Sequence, residues 1–73
     1  MNSNETLAGL TYLYDIYITE ICKRRKLNWE GFKQLDKQYK ILDRITEYIE
    51  LFNDWSLEDG LSYIDEIIQK EGA

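Results

Sequence analysis

Histidine and proline are both absent from this chain, and cysteine occurs once, as Cys22. Without histidine, the commonest acid–base side chain and the commonest metal ligand are missing. One cysteine closes no intrachain disulfide and builds no structural zinc site. Cys22 lies in an apolar periodic segment and has no imidazole to activate it, so it reads as a buried or half-buried thiol in a reducing compartment. The four glycines form neither a dinucleotide-binding nor a phosphate-loop pattern. Asn53, Asp54, Glu58 and Asp59 cluster, but their spacing is not that of a calcium loop and no glycine marks its central turn. The expectation is a non-enzyme without cofactor or metal.

Long apolar runs are missing too. The stretch from Leu7 to Cys22 is broken by Asp15 and Glu20, too polar for a membrane span. The first residues, Met1-Asn2-Ser3-Asn4-Glu5, are polar and do not resemble a secretory signal. A soluble, cytoplasmic chain without a membrane partner is expected, in a host cytoplasm if a phage or mobile element encodes it.

What the chain does have is an uneven charge distribution. Residues 1–40 carry seven basic and five acidic side chains, and residues 41–73 carry two basic and nine acidic ones. The net charge of −5 is thus +2 in the first part and −7 in the second. The run Lys23-Arg24-Arg25-Lys26 points in four directions around a helix, a poor face for reading a nucleic-acid groove. The negative long-range field also opposes a polyanion, so nucleic acid is not expected as a direct partner.

Apolar spacing is helical throughout. The first helix is expected over about 5–26, capped by Ser3 or Asn4, with Leu7, Leu10, Tyr14, Tyr17, Ile18 and Ile21 on one stripe. Asn28 is a good N-cap for a second helix over about 29–52. There Phe32, Leu35, Tyr39, Leu42, Ile45, Ile49 and Phe52 follow a nearly seven-residue repeat. Ser56 and Asp59 approach a capping box for a third helix over about 57–70, with Leu57, Leu61, Ile64, Ile67 and Ile68 inward. Short loops make neighbours antiparallel. The expected fold is all-α: one domain over 1–73, a small three-helix bundle made of a long antiparallel hairpin and a short third helix.

The segment Leu42-Asp43-Arg44-Ile45-Thr46-Glu47-Tyr48 resembles the second helix of the small Spo0E-like aspartyl-phosphate phosphatases, which are helical hairpins. Of that family's Ser-Gln-Glu-Leu-Asp segment, this chain keeps Leu42-Asp43 and has Tyr39-Lys40-Ile41 before it. The likeness covers a handful of residues, and no activity is carried over from it.

The stripes leave apolar residues over. Tyr12, Ile16, Ile41 and Tyr48 project away from them, and Leu51 lies further round. Two readings are open: the third helix wraps over these residues, or they form an association surface. Six tyrosines in 73 residues favour the second, because tyrosine joins apolar area to a polar tip. Trp29 and Trp55 sit at the two junctions and read as plugs at the bundle ends.

Asp43, Glu47, Glu50 and Asp54 form a carboxylate ladder that Glu58 and Asp59 extend. Such a ladder is ordinarily a solvated face; its functional reading is a dock for a basic surface. The expected function is a non-enzymatic protein-binding module, regulatory or inhibitory, that occludes a partner protein with a basic surface. Its contacts would be Tyr12, Ile16, Ile41, Tyr48, Asp43, Glu47, Glu50, Asp54, Glu58 and Asp59. One alternative is a small phage-type inhibitor that mimics nucleic-acid charge, of the anti-CRISPR or anti-restriction class. The other is a structural homo-oligomer, and a homodimer is expected in any case, since a core this small gains from added burial.

Overall fold

Among the described residues, five α-helices follow one another: α1 (Ser3–Arg25), α2 (Trp29–Tyr39), α3 (Ile41–Glu47), α4 (Ile49–Asp54) and α5 (Leu57–Gly72). They come from a computed structural model that describes the backbone of residues 3–72 and the side chains of 9–72. The proposed Ser3 or Asn4 cap and the stripe position of Leu7 lie outside the described side chains. The all-α class holds, but the three-helix bundle does not. The segment expected as one helix over 29–52 is three helices, α2, α3 and α4.

The reason lies at Lys40. In one continuous helix, Tyr39 and Ile41 would point about 200° apart, so both could not face the core. Both do: Tyr39 is 7% exposed and Ile41 1%. Lys40 between them takes the left-handed conformation, φ 58° and ψ 46°, which rotates the following turn inward. The exposed backbone groups at this break are satisfied locally. The Lys40 N–H donates to the Asp36 carbonyl at 2.7 Å, and the Asp36 carboxylate accepts the Leu42 N–H at 2.7 Å. Arg44 Nε donates to the Tyr39 carbonyl at 3.0 Å. A second, milder break falls at Tyr48, φ −112° and ψ 38°. There the bonds Tyr48 N–H to Arg44 O and Phe52 N–H to Tyr48 O, each 3.0 Å, carry the helical ladder across the kink.

This geometry sets the sign of one substitution. A non-glycine residue in the left-handed region costs about 1–2 kcal/mol, so Lys40→Gly is expected to raise stability by about 1 kcal/mol. In a continuous helix the same change would lower it by about that amount. Urea unfolding followed by circular dichroism reads the sign.

The outer helices keep their expected places. α1 ends in a Schellman-type turn: Lys26 has φ 56°, and the Leu27 N–H donates to the Cys22 carbonyl at 2.9 Å. The Asn28 side chain caps α2 by accepting the Gly31 N–H at 2.8 Å. Ser56 Oγ accepts the Asp59 N–H at 3.2 Å and caps α5. Cys22 is half-buried, with its thiol directed at the Asn28 carbonyl, 3.9 Å away.

α1 is the spine, touching each of the other four helices. The α2–α4 arm returns along it, so that Tyr14 Oη meets Thr46 Oγ1 and the Tyr17 ring meets Phe52 edge-on at 5.4 Å. The core is Leu13, Tyr17, Ile21, Phe32, Tyr39, Ile41, Ile45, Phe52, Leu61 and Ile64. Leu13 thus replaces Tyr14 at the centre of the α1 stripe, and Tyr14 is half-buried beside it. Phe52 is the hub of an aromatic cluster, contacting Trp55 at 5.3 Å and Tyr63 at 5.9 Å as well as Tyr17. Trp55 therefore does plug its end of the molecule. Trp29 does not: it stacks on Phe32 at 5.9 Å but stays 52% exposed.

Candidate functional site

The proposed contact residues separate into four groups. Ile41 belongs to the core and offers nothing to a partner; the break at Lys40 that buries it is not marked in the sequence by glycine or asparagine. Tyr12 and Ile16 lie on α1 and line a shallow groove of about 250 Å³ with Asn53, Trp55 and Leu57. Tyr12 is 65% exposed there, while Ile16 is half-buried. α5 does not wrap over Tyr12, so that part of its apolar area faces solvent.

Tyr48 marks the second place. The α3–α4 kink turns it outward, and it is 41% exposed beside Leu51, which is 46% exposed. Both line a hollow with Glu47, Ile49 and Glu50. Leu51 was not among the expected contacts, although its position three residues after Tyr48 puts it on an adjacent part of the helix surface. Asp43 and Glu47 share a face of α3 at i,i+4, and Glu50 and Asp54 do the same on α4; all four are exposed. Among the described residues, none of the four makes an ion pair.

The carboxylates of α5 are used differently. Arg24 pairs with Glu58, Arg25 with Asp65 at 2.8 Å, and Arg44 with Glu71 at 3.2 Å. The positive end of α1 is thus matched within the molecule to part of the negative region, and the three pairs bridge α5 to α1 and α3. Glu58 is held below the usual carboxylate range by its hydrogen bond to Arg24 and then by that side chain's charge. Arg24 is raised in turn, chiefly by the same hydrogen bond. Asp59 stays exposed and adds to the effect of burial in raising the pKa of the Tyr17 phenol.

A group whose folded pKa is depressed stabilises the fold above its unfolded pKa and loses that contribution as pH falls through the folded one. Between about pH 5 and pH 3, the wild type is therefore expected to lose more stability than Glu58→Gln. Denaturation midpoints at the two pH values check this; equal losses would mean that the pair contributes nothing. The effect is small because both partners are solvent-exposed.

Among the described residues, no three of the histidine, cysteine and carboxylate side chains converge in a way that could hold a metal ion. Nor is any described helix long and apolar enough to cross a membrane. Asp43, the acid of the segment that resembles the small phosphatases, is exposed and makes no ion pair among the described residues. Comparison with known proteins gave no matching family model, no matching curated sequence and no matching solved structure.

Proposed function

We propose that this chain is a non-enzymatic protein-binding module, regulatory or inhibitory, which occludes a basic surface of a partner protein through the hollow at the α3–α4 kink. One observation carries the reading. Tyr48 and Leu51 are exposed side by side with Glu47 and Glu50 around them, in a molecule where three α5 carboxylates, Glu58, Asp65 and Glu71, are paired with arginines. Exposed aromatic and aliphatic side chains supply contact area. The carboxylates beside them steer a cationic partner and fix its register. Asp43 and Asp54 extend the same charge along the two helices. The half-buried thiol of Cys22 suits a reducing cytoplasm.

The test is affinity capture from an extract of the native cell, with wild type and Glu47→Lys/Glu50→Lys as bait. Both substitutions lie on exposed helix surface, where the cost to stability is expected within about 0.5 kcal/mol. Recovery of the specifically captured protein is expected to fall at least tenfold while the circular dichroism spectrum is unchanged. Undiminished recovery with an intact fold would contradict the electrostatic part of the reading.

A further inference from the structure

α2 presents a second exposed face of opposite sign. Projected at 100° per residue, Trp29, Lys33 and Lys37 fall within an 80° arc to one side of the buried Phe32 and Tyr39. Lys40 follows at the helix C-cap. All four are exposed. Trp29 stacks on Phe32 and carries the Lys33 ammonium 5.9 Å from its ring centroid. Lys33 also meets Glu30 at 3.1 Å, whereas Lys37 and Lys40 make no ion pair among the described residues. A cationic stripe with a half-exposed tryptophan at one end is an unusual thing to leave open on a chain of net charge −5.

We infer that the α2 face carrying Trp29, Lys33 and Lys37 docks against the α3–α4 face of a second copy of this chain. The two faces are complementary in charge and similar in pitch. Lys33 and Lys37 are one i,i+4 step apart, about 6 Å along the axis, as are Asp43 and Glu47 on α3 and Glu50 and Asp54 on α4. Their apolar content matches too, since Trp29 on one face answers Tyr48 and Leu51 on the other. Two copies of the same negative sign repel at long range. At physiological ionic strength that repulsion is screened beyond roughly 8 Å, while charges in contact still attract. The local face-to-face match then decides whether copies meet. The inference rests on the reading of the α3–α4 face as a binding surface and names its occupant.

Sedimentation velocity over micromolar to millimolar concentrations tests it. The mass of the wild type is expected to rise with concentration from 8.8 kDa to twice that or more. Lys33→Glu/Lys37→Glu and Glu47→Lys/Glu50→Lys should each weaken association at least tenfold, with circular dichroism confirming their folds. Mixing these two variants should restore it, because the charges become complementary again in reversed order. A wild type that stays monomeric throughout would overturn the inference, as would variants that associate as well as it does or fail to rescue each other. If the wild type stays monomeric but Glu47→Lys/Glu50→Lys still loses its captured protein, the self-docking inference fails and the foreign-partner reading stands. If both variants lose self-association but capture from extract is undiminished, the self-docking holds and the foreign-partner reading fails.

Discussion

Replacing Gly60 with alanine is expected to destabilise the fold by about 2 kcal/mol. A glycine-to-alanine change inside a helix ordinarily stabilises by roughly 0.5–1 kcal/mol, because alanine loses less backbone freedom on folding. Gly60 is inside α5, but a Cβ there would stand 1.8 Å from Tyr17 Oη and 2.7 Å from Tyr17 Cζ. Tyr17 cannot swing away, since its ring is buried and locked edge-on against Phe52. Overpacking of this kind costs about 1–3 kcal/mol or more, which outweighs the helix gain. For a domain of this size the midpoint of thermal unfolding should fall by about 10 °C. The partner substitution supplies the control. Tyr17 Oη is buried and has no hydrogen-bond partner among the described residues. Tyr17→Phe removes a desolvated hydroxyl and should be neutral or stabilising by about 1 kcal/mol. In that background Gly60→Ala should cost less than in the wild type, a coupling that a double-mutant cycle measures. Additive effects would mean that Tyr17 does not lie over Gly60.

Phe52→Ala should be more damaging still, at about 3–5 kcal/mol. Phe52 comes from the shortest helix, α4, yet its ring touches Tyr17 of α1, Trp55 at the α4–α5 junction and Tyr63 of α5. Removing it opens a cavity where three elements meet and ends three edge-type aromatic contacts. Small domains have about 5–15 kcal/mol of total stability, and one of 73 residues belongs near the lower end. The variant should therefore be largely unfolded at 37 °C, by both near-ultraviolet circular dichroism and urea titration. Phe52→Leu, which fills most of the volume, should fold. A cooperatively folded Phe52→Ala with an unchanged midpoint would remove the aromatic hub from the account.

Sequence periodicity located the outer helices because their ends carry ordinary signals: Asn28 and Ser56 are polar caps, and both bond as such. It failed between 29 and 52 for a specific reason. Leu35, Leu42 and Ile49 are half-buried in the broken arm, much as they would be in a continuous helix, so the repeat conceals the break. The sign of a break was present in the pair Tyr39 and Ile41, two large apolar residues on opposite sides of an unbroken helix. The left-handed residue between them is a lysine, not the glycine or asparagine that usually marks such a position. The same oversight made Ile41 look like surplus surface.

Helix projection set Tyr12, Tyr48 and the carboxylate ladder off the core stripes, but whether α5 covers Tyr12 and Tyr48 was not legible, because that depends on the crossing of α5 and on the kink at Tyr48. The pairing of Arg24, Arg25 and Arg44 with α5 was not legible either, because it depends on how α5 crosses the other helices. Those pairs change the meaning of the charge asymmetry. Part of the negative region is paired with arginines; Asp59 and Glu66 of α5 make no ion pair among the described residues, nor do the carboxylates of the stretch around Tyr48 and Leu51, where they flank exposed apolar side chains.

That stretch is where a partner is expected to sit. Amide hydrogen exchange on the captured complex, compared with the free chain, measures it directly. Protection should concentrate at residues 47–51, with little change around Tyr12 and Ile16. Protection centred on the Tyr12 groove, or none at the α3–α4 kink, would contradict it.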